Sequence, residues 1–342
     1  MKEPLNKKQS EISRRSILKT FGLAATAFGV GTIIPQKIYA NNLSSKLMTP
    51  KNPYIYSFQI GGLEAWSISD GFMKFDEGLK LMAPDSRHSV MKQALEDNRE
   101  AIDFLPMYIN ILVVRKNKEV IIFDAGYGMI DHPERGWFIE GLSAIGIDKS
   151  QVTAGFLSHA HGDHIDGFVG PDGKPMFPNA VIYTTSQEFN FWRQKNPDFS
   201  KSNRNPSWIP SMVDNAKKQF EILKPQIETV SVGTQLFDGM VTVENGFGHT
   251  PGHGIFRISS AGESLLHIVD LAHNNVLMFK DPAWSIRLDH SPSVAIESRR
   301  RVFAQAAKER TRCFGFHVSW PGIGSIAREG KGYTWMPERM WW

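Results

Sequence analysis

The sequence predicts an α/β domain, and three observations carry that prediction. Runs rich in β-branched and aromatic residues alternate with helix-period segments in the order strands, helices, strands, helix, strand. Histidines fall repeatedly at the ends of the strand runs, where loops hold functional groups on a rigid sheet. The composition is that of a soluble globular chain, with 342 residues, 41% hydrophobic and 22% charged, which excludes collagen-like and disordered classes. The length allows two domains, but one large α/β domain fits as well. A single cysteine, Cys313, excludes an internal disulfide and a thiolate-rich metal site.

Residues 54–60 and 64–69 read as strands joined by the turn Gly61-Gly62, and Asp70-Gly71 breaks the second. Residues 83–105 are polar and mixed, a short helix beside a loop. Residues 110–115 and 119–123 form a hairpin about Lys116-Asn117-Lys118, ending in Asp124-Ala125-Gly126. Residues 136–145 have helical spacing, and a buried-type strand over 152–157 runs straight into a histidine cluster. Residues 180–184 make another strand. Thr185 with Glu188 three residues on is a capping-box pattern, so a helix is expected over 186–194, with a longer one over 211–223. Strands follow at 229–232, 241–245, 255–259 and 264–269. Residues 293–309 are the strongest helix, with Val294, Ile296, Val302, Phe303 and Ala306 as apolar positions, and 312–316 is the last core strand.

The formal charge of +4 would fit a nucleic-acid partner if it were spread over the chain. It is not: residues 1–40 hold seven basic and two acidic side chains, which leaves −1 for the remainder, so no nucleic-acid role is expected. The run Ser13-Arg14-Arg15-Ser16-Ile17-Leu18-Lys19 resembles a twin-arginine export signal. The mildly apolar stretch 21–34 and Ile38-Tyr39-Ala40 complete the pattern with a small-residue cleavage site. That stretch is shorter than the roughly 20 apolar residues a membrane-spanning helix needs, so a retained anchor is the lesser alternative. Residues 1–40 are thus expected to be a cleaved signal, 41–52 a flexible lead-in and 53–342 one domain, exported by the twin-arginine machinery to the periplasm or beyond.

The chemistry rests first on Ser158-His159-Ala160-His161-Gly162-Asp163-His164. Alternate residues leaving a strand point to one side, so His159 and His161 can meet one ion. Gly162 permits a sharp turn, after which Asp163 and His164 approach from the other side. Three imidazoles and a carboxylate suit zinc and related divalent ions. Downstream, Gly248-His249-Thr250-Pro251-Gly252-His253 follows one strand, Asp270 ends another, and His317 follows the last. Each alone is weak, since a histidine after a strand more often packs than ligates.

Together and in this order these residues resemble the metallo-β-lactamase fold superfamily, over roughly residues 54–338. Trp66-Ser67-Ile68-Ser69-Asp70-Gly71, Pro321-Gly322-Ile323-Gly324 and Gly330-Lys331-Gly332-Tyr333 are similar to its methyl parathion hydrolase and lactonase branch. The resemblance implies a four-layer αβ/βα sandwich with metals at the sheet edge, and a homodimer. It implies two divalent ions, with zinc favoured: His159, His161 and His249 on the first, Asp163, His164 and His317 on the second, and Asp270 bridging. Two cations lower the pKa of a water they share, so a hydroxide forms near neutral pH, with Asp163 and Asp270 closest to the chemistry. Asp124 either orients a ligand histidine or caps the turn at Gly126. His253 lies beside the ligands as packing or a hydrogen bond, and His273 is placed to line the pocket.

Trp192, then Phe191, are expected on the wall of the substrate cleft, with core packing as the alternative. Tyr127, Met129, Phe138 and Trp320 are further candidates, and Trp335, Trp341 and Trp342 are candidates for covering an apolar face or an oligomer contact. An aromatic pocket suits a small apolar ester, lactone or phosphotriester. Cys313, in an apolar strand, is expected to be a buried inert thiol. Of the rival readings, a thioester hydrolase like glyoxalase II lacks an evident basic patch. A β-lactamase does not normally use the bridging Asp270, and a persulfide dioxygenase needs only part of the ligand set. A metal-stabilised binding protein on the same fold stays open.

Overall fold

β1 (Ile55–Ile60) turns at Gly61-Gly62 into β2 (Leu63–Asp76), pairing antiparallel from Ile60↔Leu63 to Ile55↔Ile68. The computed structural model describes residues 55–339 apart from 129 and 131, so the expected signal and lead-in, Met129, Trp341 and Trp342 lie outside the described residues. β2 does not stop at Asp70-Gly71. It continues through a bulge between Ser69 and Gly71, because β4 (Phe104–Lys116) pairs with it on both sides of that bulge. Between them lie the two-residue strand β3 (Met82–Ala83) and α1 (His88–Asp97), the short helix expected there. β5 (Glu119–Phe123) closes the hairpin with β4, and α2 (Phe138–Ala144) follows. β6 (Ala154–Phe156), β7 (Val181–Thr185) and β8 (Ile227–Val230) then add in parallel. The chain crosses between them through α3 (Gly162–Ile165), α4 (Ser186–Trp192) and α5 (Ile209–Leu223). The first sheet has the order β1-β2-β4-β5-β6-β7-β8.

The second sheet begins with β9 (Gln235–Leu236), β10 (Val241–Asn245), β11 (Gly254–Ser260) and β12 (Glu263–Val269). α6 (Leu277–Lys280), β13 (Ser285–Ile286), paired with β3, and α7 (Pro292–Glu309) lead to β14 (Arg312–Gly315), parallel to β12. The hairpin β15 (Ile323–Glu329) and β16 (Gly332–Pro337) extends the sheet past β14, so the expected last core strand is an inner one. The order is β16-β15-β14-β12-β11-β10-β9.

The sheets meet face to face. Phe123 and Phe156 of the first pack at an angle against Phe256 of the second at ring centroids 5.4 and 5.3 Å apart, and Phe123 meets His267 at 6.2 Å. Each fully buried phenylalanine stabilises this interior by about 1.5–3 kcal/mol. Outside the sheets, α5 buries Val213, Ala216, Phe220 and Leu223, and α7 buries Ala295, Val302, Phe303 and Ala306. The result is a four-layer αβ/βα sandwich. The inner face of α7 differs from the one its apolar pattern indicates: Val294 is exposed and Ile296 half-buried, while Ser298 and Arg299 point inward. The reason is the loop before the helix, whose buried carbonyls need donors. Arg299 Nε donates to Leu271 O at 2.6 Å, and Nη1 to Pro282 O and Trp284 O at 3.0 and 3.2 Å. Among the described residues no helix is long and apolar enough to cross a membrane.

Candidate metal centre

Loops leaving both sheets deliver the histidines to one edge. After β6 the chain stays extended through His161, then coils into α3, so His159 and His161 come from extended backbone and Asp163 and His164 from a helical turn. Gly162 opens that turn with helical backbone rather than a sharp reversal. From the second sheet come His249 after β10, Asp270 directly after β12, and His317 after β14. Two glycines of the Gly248–His253 run are explained by close approach. A Cβ at Gly248, where φ is +120°, would lie 2.1 Å from the backbone N of Ala295, and one at Gly252 would lie 2.0 Å from that of Glu188.

The seven expected side chains converge. His159 Nε2 lies 2.9 Å from His161 Nδ1, which lies 3.0 Å from His249 Nε2. Asp270 Oδ2 is 3.1 Å from His249 Nε2 and 3.4 Å from His317 Nε2, and its Oδ1 is 3.3 Å from His164 Nε2. Asp163 Oδ2 is 3.3 Å from His317 Nε2 and 3.6 Å from His164 Nε2. His159, His161, His249 and Asp270 thus form one group able to hold an ion; Asp163, His164 and His317 form a second, and Asp270 touches both. His273, buried, brings Nε2 to 3.2 Å from Asp270 Oδ2 and adds an eighth side chain at the edge of the second group.

The outer edges of the rings fix which nitrogen faces inward. His164 Nδ1 pairs with Asp124 Oδ2 at 2.8 Å, His249 Nδ1 with Asp289 Oδ1 at 2.9 Å, His317 Nδ1 with Tyr108 O at 2.7 Å and His159 Nδ1 with Ser158 Oγ at 2.9 Å. Each pairing uses the outer N–H and leaves an Nε2 lone pair turned to the centre, the tautomer a metal ligand needs. His164 Nε2 and Asp270 Oδ1 are buried with no hydrogen-bond partner, and lone pairs about 3 Å apart repel unless a cation stands between them. The residues present therefore fit a pair of divalent cations. The electrostatics agree. Burial opposes charge on His317, yet Asp270 and Asp163 raise it to about 9, and the carboxylates likewise raise His164 against burial. Burial would lift Asp270, but the surrounding imidazoles hold it well below the usual carboxylate range. The pocket calls for positive charge at its centre.

Asp124 takes the first of its two expected roles: besides His164 it accepts from Ser158 N and Oγ at 2.8 and 2.7 Å. His253 Nδ1 pairs with Gly246 O at 2.7 Å and its Nε2 faces Asp270 N at 3.4 Å; burial pushes the ring down to about 3, so it stays neutral. Sequence reasoning missed two carboxylates. Asp289 sits between His249, Ser285 Oγ (2.6 Å) and the Arg299 guanidinium (3.5 Å), so α7 reaches the centre through Arg299 and Asp289. Glu188 is fully buried and ties together three segments: Oε1 accepts from Ala160 N (3.0 Å) and Trp192 Nε1 (2.5 Å), and Oε2 from Thr250 Oγ1 (2.6 Å) and Gly252 N (3.0 Å). The capping signal was its only trace. Thr185 Oγ1 does accept from Glu188 N at 3.1 Å, but the Glu188 carboxylate turns to the metal loops.

A cleft of about 350 Å³ opens onto the centre, with His161, Asp163, His249, Asp270, His273 and His317 at its floor. Its wall is apolar, from Met73, Phe75, Met107, Tyr127, Trp208 and Met212. Trp192 and Phe191 are not on that wall, which corrects the expectation from sequence. Trp192 is fully buried, edge-on to His161 at 6.0 Å and bonded to Glu188, and Phe191 packs on Phe199 and His290. The helix turns the Trp192 ring inward because the carboxylate partner of its indole N–H lies beneath the metal loops. Phe138 is a core residue, and Trp320 lines a separate cavity with Trp137 and Tyr108. Trp335 is buried against Phe279, and Cys313 is buried, its thiol pushed up to about 12 by burial. Arg204 is the one Lys or Arg among the described residues lining the cleft; burial lowers it to about 10 against the pull of Asp289 and Asp163, so it remains cationic at neutral pH.

Fold and centre together define a two-sheet protein built around a dinuclear divalent-metal site. The model of the metallo-beta-lactamase superfamily matches residues 105–315. The chain belongs to that superfamily. The structure of AidC, described as a dizinc quorum-quenching lactonase in complex with a product N-hexanoyl-L-homoserine, is 30% identical with TM-score 0.80, over 84% of this chain and 99% of that one. The hydrolase AbOPH is 27% identical with TM-score 0.75, over 84% and 98%. A quorum-quenching N-acyl homoserine lactone hydrolase, 17% identical with TM-score 0.52 over 77% and 95%, shares the fold. No curated protein matches significantly by sequence.

Proposed function

We propose that this protein is a dizinc hydrolase that opens lactones carrying an apolar arm, with carboxylic esters and phosphotriesters as the neighbouring substrate classes. The observation that carries the reading is the inward turn of Nε2 on His159, His164, His249 and His317, with Asp270 touching both groups. The likeness to the lactonase AidC supports the lactone. Two zinc ions would supply a hydroxide near neutral pH and electrostatic stabilisation of the oxyanion that develops on the substrate. The chain's own part is positional. His159, His161 and His249 would hold one ion, Asp163, His164 and His317 the other, and Asp270 is within reach of both. Met73, Phe75, Met107, Trp208 and Met212 receive the apolar arm and exclude water from it. Asp163, at the cleft floor, would relay the remaining proton of the attacking hydroxide to the alkoxide oxygen freed when the ring C–O bond breaks.

The test is a panel of lactones, aryl esters, phosphotriesters, thioesters and β-lactams assayed with zinc-loaded protein, together with metal analysis. Two ions per chain and fastest turnover on lactones are expected. One ion per chain, or turnover confined to thioesters or β-lactams, would overturn the reading, and no turnover on any of them would leave a binding protein. We also propose twin-arginine export to the periplasm or beyond, on the Arg14-Arg15 run. Replacing both arginines by lysine should keep the protein in the cytoplasm, and unchanged export would refute this.

A further inference from the structure

One ring of the metal centre breaks the pattern of the others. On His159, His164, His249 and His317 the outer nitrogen faces an oxygen. His161 turns Nδ1, not Nε2, to the centre, and its outer Nε2 faces Arg204 Nη2 at 2.9 Å. With Nδ1 free to ligate, the neutral ring carries its proton on Nε2, so an imidazole N–H meets a guanidinium N–H. Two donors converge where an acceptor belongs. Arg204 Nη2 does bond Leu288 O, but Arg204 Nε is buried with no hydrogen-bond partner.

The cation is held there by a built support. Ser202 Oγ donates to Asp289 O at 3.1 Å and accepts from Arg204 N at 3.2 Å. Phe199, on the same segment, packs on Phe191, Trp192 and His290 at ring centroids 5.2 to 6.0 Å apart. Four and eight residues further along the chain, Trp208 and Met212 supply apolar wall. A group bound at Arg204 therefore lies beside His161, with apolar surface of the same cleft beyond it.

Resting on the lactone-hydrolase reading above, we propose that Arg204 is a specificity-determining residue. Together with His161 Nε2–H, it binds a second acceptor oxygen of the substrate, the amide carbonyl that joins an acyl arm to the lactone ring. The scissile ester faces the metal centre, the amide oxygen sits beside the two nitrogens and accepts from both, and the acyl tail runs along Trp208 and Met212.

The experiment compares an N-acylamino lactone with an alkyl lactone of equal length and no amide, using zinc-loaded wild type, Arg204→Met and Arg204→Lys. Losing a charge-assisted hydrogen bond should raise KM for the amide substrate by about 10- to 100-fold in Arg204→Met, with kcat moving far less. KM for the alkyl lactone should rise by a far smaller factor than KM for the amide substrate, Arg204→Lys should recover part of the loss, and zinc content and melting temperature should match wild type. Calorimetry with the ring-opened N-acylamino acid and its amide-free counterpart should show the same selective weakening. Equal losses on both substrates and both ring-opened ligands would mean that Arg204 binds the carboxylate or only supports the site, and would overturn the proposal, as would loss of zinc in Arg204→Lys. If wild type cleaves neither lactone, the hydrolase reading fails, and the calorimetric pair still decides for or against Arg204.

Discussion

Two segments border the cleft, and they are built differently. Residues 158–164 are short and largely buried, and two of the imidazoles that face the centre are backed by a named acceptor, Ser158 behind His159 and Asp124 behind His164, while Glu188 holds the Ala160 backbone N–H. Residues 193–208 form a longer, mostly exposed span that touches the centre at Arg204 and the cleft at Trp208. The first resists change because each deletion strands a buried polar atom; the second can vary in length and composition with little cost to the sandwich. On the proposed reading, the contrast puts reaction chemistry on one segment and substrate choice on the other.

The largest expected effects lie on the buried side. His164→Ala or Asp270→Asn should lower turnover by at least about a thousandfold with the fold retained, because each removes a contact that the second group cannot replace. Steady-state kinetics with circular dichroism checks this, and full activity would break the contrast. Glu188→Gln puts an amide N–H among four donors and should weaken metal affinity by about 10- to 100-fold, the usual effect of disturbing a ligand's support. Competition with a chelator measures it, and unchanged affinity would reduce Glu188 to a packing residue.

His267 tests the floor beneath the same side. Burial pushes this imidazole down to about 3, whereas the unfolded chain takes up a proton near 6.5. A depressed folded value means stability is present above the unfolded pKa and is lost as pH falls toward the folded one. This residue alone should cost about 2 kcal/mol between pH 7 and pH 5. Urea unfolding of wild type and His267→Asn at both values checks the sign, since the variant should lose less on acidification. The smallest effect belongs to the exposed side. Trp208→Ala should raise KM by about tenfold for long-armed lactones, as expected for losing part of an indole contact, and leave short-armed ones and the melting temperature alone.

The seven metal-facing residues were legible because each sits where a strand ends, and strand ends of one sheet edge are neighbours in space whatever their separation in sequence. The sandwich was legible for a related reason, since its strands announce themselves locally. What escaped depends on partners distant in the chain. The course of β2 through Asp70-Gly71 is set by β4, which the local break in pattern does not reveal. Arg299 looks like a surface residue of an amphipathic helix until the carbonyls of Leu271, Pro282 and Trp284 are seen beneath it. Trp192 and Phe191 have the composition of a cleft wall, but the Glu188 carboxylate draws the indole inward. Arg204 carries no motif, and its meaning arises only from the nitrogen that His161 presents to it.

Because four of the seven metal-facing groups precede residue 165 and three follow residue 248, neither half of the chain can assemble the centre alone. His317 is the last of them to leave the ribosome. A chain that stopped before that histidine would carry the whole first sheet and still leave the second group of ligands incomplete.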